Sequence, residues 1–128
     1  MTTSNPSNQK KLSLEELSSI ILNALEEVKA KDITVLDIKD ISDVADRMII
    51  ASGTSNTHLK ALANSVLIDC KEAGNPPLST EGESSSEWIL VDVGDVLVHI
   101  MTPQTREFYD LERLWTARPD SSEQSDGN

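Results

Sequence analysis

Between residues 12 and 28 apolar side chains recur at helical spacing. Leu14, Leu17, Ile21, Ala24, Leu25 and Val28 share one face and the charged residues the other, the pattern of an amphipathic helix. Ser13-Leu14-Glu15-Glu16 has the spacing of a capping box, in which the Ser13 hydroxyl and the Glu16 carboxylate take up amides that the first turn leaves unpaired. Leu12 and Leu17 stand where a hydrophobic staple would place them. After Lys31-Asp32 the pattern becomes short and β-branched, first at Ile33-Thr34-Val35-Leu36-Asp37-Ile38 and again at Met48-Ile49-Ile50-Ala51; both runs predict strands. Gly53-Thr54-Ser55 then leads into a second helical stripe, Leu59, Leu62, Ala63, Val66, Leu67, Cys70 and Ala73, which Gly74 is suited to end.

Asn75-Pro76-Pro77 stiffens the exit from that helix, and Ser79 to Ser86 is polar, contains a glycine and has no periodicity, so a surface loop is expected. Trp88 to Asp92 and Asp95 to Met101 predict two strands joined by Val93-Gly94 as a tight turn. Thr102 as cap and Pro103 at the first helical position open a last helix carrying Phe108, Leu111, Leu114 and Trp115. The predicted order, αββαββα, packs most simply as a small mixed β-sheet flanked by helices, an α+β (α/β) fold. Strand order is left open by the sequence.

The Val93-Gly94 turn would set Asp92 opposite Asp95, Val91 opposite Val96 and Trp88 opposite His99. One hairpin face then carries Ile89, Val91, Val96, Val98 and Ile100, all β-branched aliphatics suited to a core. The other mixes Trp88, Leu90, Asp92, Asp95, Leu97, His99 and Met101. That lining suits a docking patch, where an aromatic anchor is ringed by polar groups; the alternative is that a helix covers it and Trp88 is ordinary packing.

Length and composition bound the rest. With 128 residues the chain is the size of one domain. Residues 1–11 and 117–128 are polar and expected to be disordered, the latter acidic, which leaves a folded unit over 12–116. The net charge of -11 opposes binding through phosphates, which needs clustered Lys and Arg, and favours a basic protein partner. Cys70, the single cysteine, cannot form an internal disulfide and sits among apolar neighbours. There is no run of roughly 20 apolar residues to span a membrane and the polar N-terminus lacks a signal-peptide stretch, so a cytoplasmic protein is expected.

Candidate chemistry is sparse. Two histidines, His58 and His99, lie far apart in sequence. Asp92, Asp95 and His99 could converge on a divalent cation or serve a nucleotidyltransferase-like or metal-dependent enzyme, but acids are common at hairpin turns. Gly53-Thr54-Ser55 before a helix could hold an anion on free amides, yet it lacks the lysine of a P-loop and the glycine spacing of a dinucleotide site; a hydroxyl-capped turn, with His58 as a surface polar residue, is the simpler reading. No catalytic residue, cofactor or metal is expected.

The segments Glu81-Gly82-Glu83, Glu87 to His99, Arg106-Glu107-Phe108-Tyr109 and Leu111-Glu112-Arg113-Leu114-Trp115 together resemble the RsfS/Iojap family of ribosomal silencing factors. Ala45 to Ile50 and Gly53-Thr54-Ser55 followed by His58 extend the match upstream, so that it covers about Ser13 to Trp115. The resemblance implies a nucleotidyltransferase-like topology without that enzymatic activity. It also implies a factor that binds the large ribosomal subunit through ribosomal protein L14 (uL14), blocks joining of the small subunit and represses translation under nutrient limitation. Carried over to this sequence, the partner-binding candidates are Trp88, Leu90, Asp92, Leu97, His99 and Met101, with Tyr109 and Glu112 from the last helix. The same apolar patch could pair with a second copy in the free protein, giving a homodimer.

Overall fold

The computed structural model describes residues 12–84 and 87–116; the tails expected over 1–11 and 117–128 lie outside the described residues. Helix α1 (Leu14–Glu27) is followed by strands β1 (Lys31–Asp37) and β2 (Arg47–Ser52), helix α2 (Asn56–Glu72), strands β3 (Ser79–Glu81), β4 (Trp88–Asp92) and β5 (Val96–Met101), and helices α3 (Pro103–Tyr109) and α4 (Leu111–Thr116). The α+β class is as expected, and the order is extended from αββαββα to αββαβββαα in two places. Ser79-Thr80-Glu81, expected as loop, pairs antiparallel with β4; three polar residues carry no apolar alternation by which to read a strand. The final helix is split because Asp110 adopts a left-handed conformation (φ 51°, ψ 51°), which Asp tolerates better than most side chains do.

The sheet runs β1-β2-β5-β4-β3, with β2 and β5 parallel and the other pairs antiparallel. Helices α1 and α2 lie together on one face. The capping box forms as predicted: the Glu16 amide donates to Ser13 Oγ at 3.0 Å and the Ser13 amide to Glu16 Oε1 at 2.9 Å. Leu17, Ile21 and Leu25 of α1 and Leu59, Leu62 and Val66 of α2 are fully buried against Ile49, Ile89, Val91, Val98 and Ile100 of the sheet. At about 1.5 to 3 kcal/mol for each large aliphatic side chain removed from water, this layer dominates the stability of the fold.

The hairpin register differs from the expectation by one turn position. Val93 N–H donates to the Val96 carbonyl at 3.0 Å, and Asp92 stands opposite Leu97, Leu90 opposite His99 and Trp88 opposite Met101. The turn is therefore Gly94-Asp95 rather than Val93-Gly94. Two features select it: Val93 is 4% exposed, inside the core, and Gly94 takes the positive φ (93°) that the first position of such a turn favours. Moving the turn by one residue moves each partner by two, so every side chain keeps the face predicted for it.

Candidate functional site

The second sheet face is half covered. Ile38 and Ala45 from the β1–β2 connection pack with Met48, Ile50 and Met101 into a small separate core, and Leu36, Ile41, Trp88, Leu97 and Leu111 border it. Cover and opening thus divide the face, with the buried cover drawn from the β1–β2 connection. The part over β1, β2 and the end of β5 is interior, while the part toward β4 and β3 opens into a groove of about 320 Å³ lined by Glu81, Gly82, Trp88, Leu90 and His99.

Helices α3 and α4 are fixed beside this groove by polar contacts. Thr102 caps α3, and the Thr105 hydroxyl donates to Glu87 Oε1 at 2.9 Å, tying the helix to the start of β4. Arg106 reaches over the sheet, donating from Nη1 to Ser52 Oγ and from Nη2 to Thr34 Oγ1, both at 2.9 Å. Its guanidinium also grips Glu112 with two bonds, Nε to Oε1 at 3.0 Å and Nη2 to Oε2 at 2.8 Å. The Glu112 carboxyl is held below the ordinary carboxylate range, first by that hydrogen bonding to Arg106. Such a planar two-pronged pair fixes direction as well as charge.

Four rings then run from the interior to solvent. The Trp88 indole N–H donates to His99 Nδ1 at 3.0 Å. Trp88 also packs at a tilt against Tyr109, with centroids 4.8 Å apart, and Tyr109 meets Phe108 edge-on at 4.9 Å. His99 is 8% exposed, Tyr109 52% and Phe108 79%. Burial lowers the His99 pKa to about 4, so the ring is neutral at pH 7, with its proton on Nε2 because Nδ1 accepts.

The sequence candidates are distributed unevenly over this site. Trp88, Leu90 and Leu97 are half-buried on the open face, and Tyr109 is exposed beside them. Met101 is fully buried and His99 nearly so; both lie in the floor of the site, and Met101 offers no surface to a partner in this conformation. Asp92 is occupied in the turn, where its Oδ1 accepts from the Gly94 amide at 2.9 Å. Glu112 serves the Arg106 clamp. Phe108, expected simply as part of the helix's apolar set, is the most exposed aromatic of the row, and Glu81 was read as loop; the adjacent Gly82 was the signal that a turn brings that segment close.

The other polar candidates have structural partners of their own. Among the described residues no group of three or more His, Cys, Asp or Glu side chains is placed to hold a metal ion. Amides of the Gly53-Thr54-Ser55 turn are engaged within the fold: Gly53 N–H donates to the Met101 carbonyl at 3.0 Å and Thr54 N–H to His58 Nδ1 at 2.9 Å, while Ser55 Oγ accepts from His58 N–H at 3.1 Å. His58 is consequently more than a surface polar residue, since its Nε2 meets the Val28 carbonyl at 2.7 Å and ties the end of α1 to the start of α2. Cys70 is buried, and burial raises its thiol to about 11, away from reactive thiolate chemistry.

Residues 11–128 match the family model described as "Ribosomal silencing factor during starvation". A relative from Chromobacterium violaceum named ribosomal silencing factor RsfS is 48% identical over 104 residues, covering 81% of this chain and 85% of that protein. A Mus musculus protein named mitochondrial assembly of ribosomal large subunit protein 1 is 34% identical over 104 residues, covering 77% of this chain and 45% of its own length. A crystal structure of a Chromobacterium violaceum protein superposes with a TM-score of 0.81 at 47% identity, covering 84% of this chain and 89% of the other.

Proposed function

Since the chain belongs to the RsfS family of ribosomal silencing factors, we propose that it docks on the large ribosomal subunit through ribosomal protein L14 (uL14). There it stands in the way of the small subunit and lowers translation when nutrients are limiting. The family is one of ribosome-associated regulators rather than enzymes. The name of the mouse relative, which refers to the large subunit, supports the choice of subunit.

The observation that carries the docking reading is the aromatic row on the open half of the sheet. A half-buried Trp88 held from below by His99 and flanked by exposed Tyr109 and Phe108 is a pre-ordered anchor of the kind that dominates binding energy. The chain's 22 acidic against 11 basic residues suit a basic ribosomal protein better than ribosomal RNA. Leu90 and Leu97 would supply the apolar surround, Met101 the floor, and Asp92 and Glu112 would act by holding the turn and the helices in place. No described helix is long and apolar enough to cross a membrane; a cytoplasmic site of action is the one that goes with a ribosomal partner.

The test is co-sedimentation with isolated large subunits, followed by addition of small subunits and a second gradient. We expect co-migration with the large subunit and fewer joined ribosomes. A chain that binds and leaves joining unchanged would overturn the blocking step, and a chain that does not bind would overturn the docking.

A further inference from the structure

Within the docking reading, the groove beside Trp88 has a chemical character of its own. Its walls are the indole of Trp88 and the side chain of Leu90, its floor includes His99, and its charged residue is Glu81. Glu81 stands opposite Leu90 across the β3–β4 pair, which places both side chains on the open face. It is exposed, and its carboxylate makes no hydrogen bond or ion pair among the described residues. The segment is held against β4 by Gly82: at φ 85° a Cβ there would fall 2.2 Å from the Trp88 carbonyl oxygen, so the backbone approaches as only glycine allows.

We propose that this groove receives a cationic side chain of the protein partner, a lysine or arginine, with its aliphatic stem along Leu90 and the Trp88 ring and its charged head at the Glu81 carboxylate. This rests on the docking reading above and adds a contact to it. Long basic side chains have this division, an apolar stem and a charged end, and a cation lying over an indole gains from the ring's negative face. His99 is neutral at pH 7 and does not repel such a head. The net charge of -11 draws basic surfaces in, whereas a phosphate would meet repulsion from Glu81. An apolar side chain could fill the walls but would leave a carboxylate desolvated without a partner.

The experiment compares binding of the full chain, Glu81→Gln and Glu81→Lys to purified large subunits at low and high salt, with thermal unfolding of each. Glu81 is exposed, so unfolding temperatures should agree. We expect Glu81→Gln to weaken binding about tenfold, the range for losing a charge-assisted contact, and Glu81→Lys to weaken it further, both losses shrinking at high salt. Unchanged or tighter binding of Glu81→Gln, with the unsubstituted chain bound normally, would overturn the cationic occupant and leave the docking reading standing. Failure of the unsubstituted chain to bind would remove both.

Discussion

The indole N–H of Trp88 donates to Nδ1 of His99 at 3.0 Å, so a residue buried to 8% exposure sets the direction of the ring that faces the open groove. The bond also assigns the imidazole: Nδ1 accepts, and the proton sits on Nε2. Protonating Nδ1 would put two donors face to face and release the indole.

A pH dependence follows, with a definite sign. Burial lowers the His99 pKa from 6.5 to about 4, so the unfolded chain takes up this proton first as pH falls. The stabilisation is complete above pH 6.5 and is lost between there and about pH 4, for a total of about 3 kcal/mol. Carboxylates titrate at the lower end of the same window, so the measurement is a difference. Denaturant unfolding of the unsubstituted chain and of His99→Gln, whose amide oxygen can still accept from Trp88, should diverge in slope from pH 6.5 downward, with the flatter curve for His99→Gln. Parallel curves would count against the assignment.

Trp88→Ala separates packing from docking. Trp88 borders the smaller core without being enclosed in it, so we expect a stability loss of about 2 kcal/mol, below the 3 to 5 kcal/mol typical of a fully buried aromatic. Binding to large subunits should fall by about 2 kcal/mol or more, as for a hot-spot truncation. Phe108→Ser is the counterpart: at 79% exposure its melting temperature should be unchanged while binding weakens. A Trp88→Ala chain that loses the larger stability and a Phe108→Ser chain that binds normally would return this face to ordinary packing.

The Arg106 clamp predicts a different signature. Removing the guanidinium leaves Glu112 and the hydroxyls of Thr34 and Ser52 without their shared donor, and because Glu112 is still a third exposed the loss of this part-buried, charge-assisted contact costs about 1.5 to 3 kcal/mol. Arg106→Ala should therefore lower the melting temperature clearly, and Glu112→Gln should do so to a smaller extent. Because Arg106 holds the Glu112 carboxyl low, the pair's contribution is present at neutral pH and fades as pH drops through the carboxylate range. Thermal unfolding at pH 7 and pH 4 reads this; equal differences between the unsubstituted chain and Glu112→Gln at both values would contradict it.

What the sequence revealed and what it withheld have physical reasons. The two sheet faces were legible because alternation has a period of two, and a turn misplaced by one residue moves its partner strand by two without exchanging faces. The capping box of α1 was legible because its partners are three residues apart. β3 was not, since Ser79-Thr80-Glu81 has no apolar member and gains its structure from pairing with β4. The break at Asp110 depends on a single backbone conformation. The Trp88–His99 bond and the Arg106 clamp join residues 11 and up to 72 positions apart, brought together by a sheet order that no local pattern reports. Met101 and Glu112 were therefore grouped with surface candidates, although the fold uses one as floor and the other as brace.

Gly82→Ala probes how the groove is made. The substitution asks a Cβ to sit 2.2 Å from the Trp88 carbonyl oxygen, on backbone with φ 85°. Neither demand can be met by turning a side chain, because the obstacle is backbone and the strain is in φ itself. The segment must move away from β4, and we expect a stability loss of about 1 to 3 kcal/mol, the range for a strained backbone position. Pairing of Glu81 with Leu90 is the nearest contact of β3 to the site, so amide hydrogen exchange should rise first over Ser79–Glu81. The core layer beneath α1 and α2 should keep its protection. Docking should weaken with the groove, and Gly82→Ala combined with Glu81→Gln should lose little more than Gly82→Ala alone, since a displaced Glu81 no longer stands at the groove. Full additivity of the two would mean that Gly82 serves the fold without shaping the site.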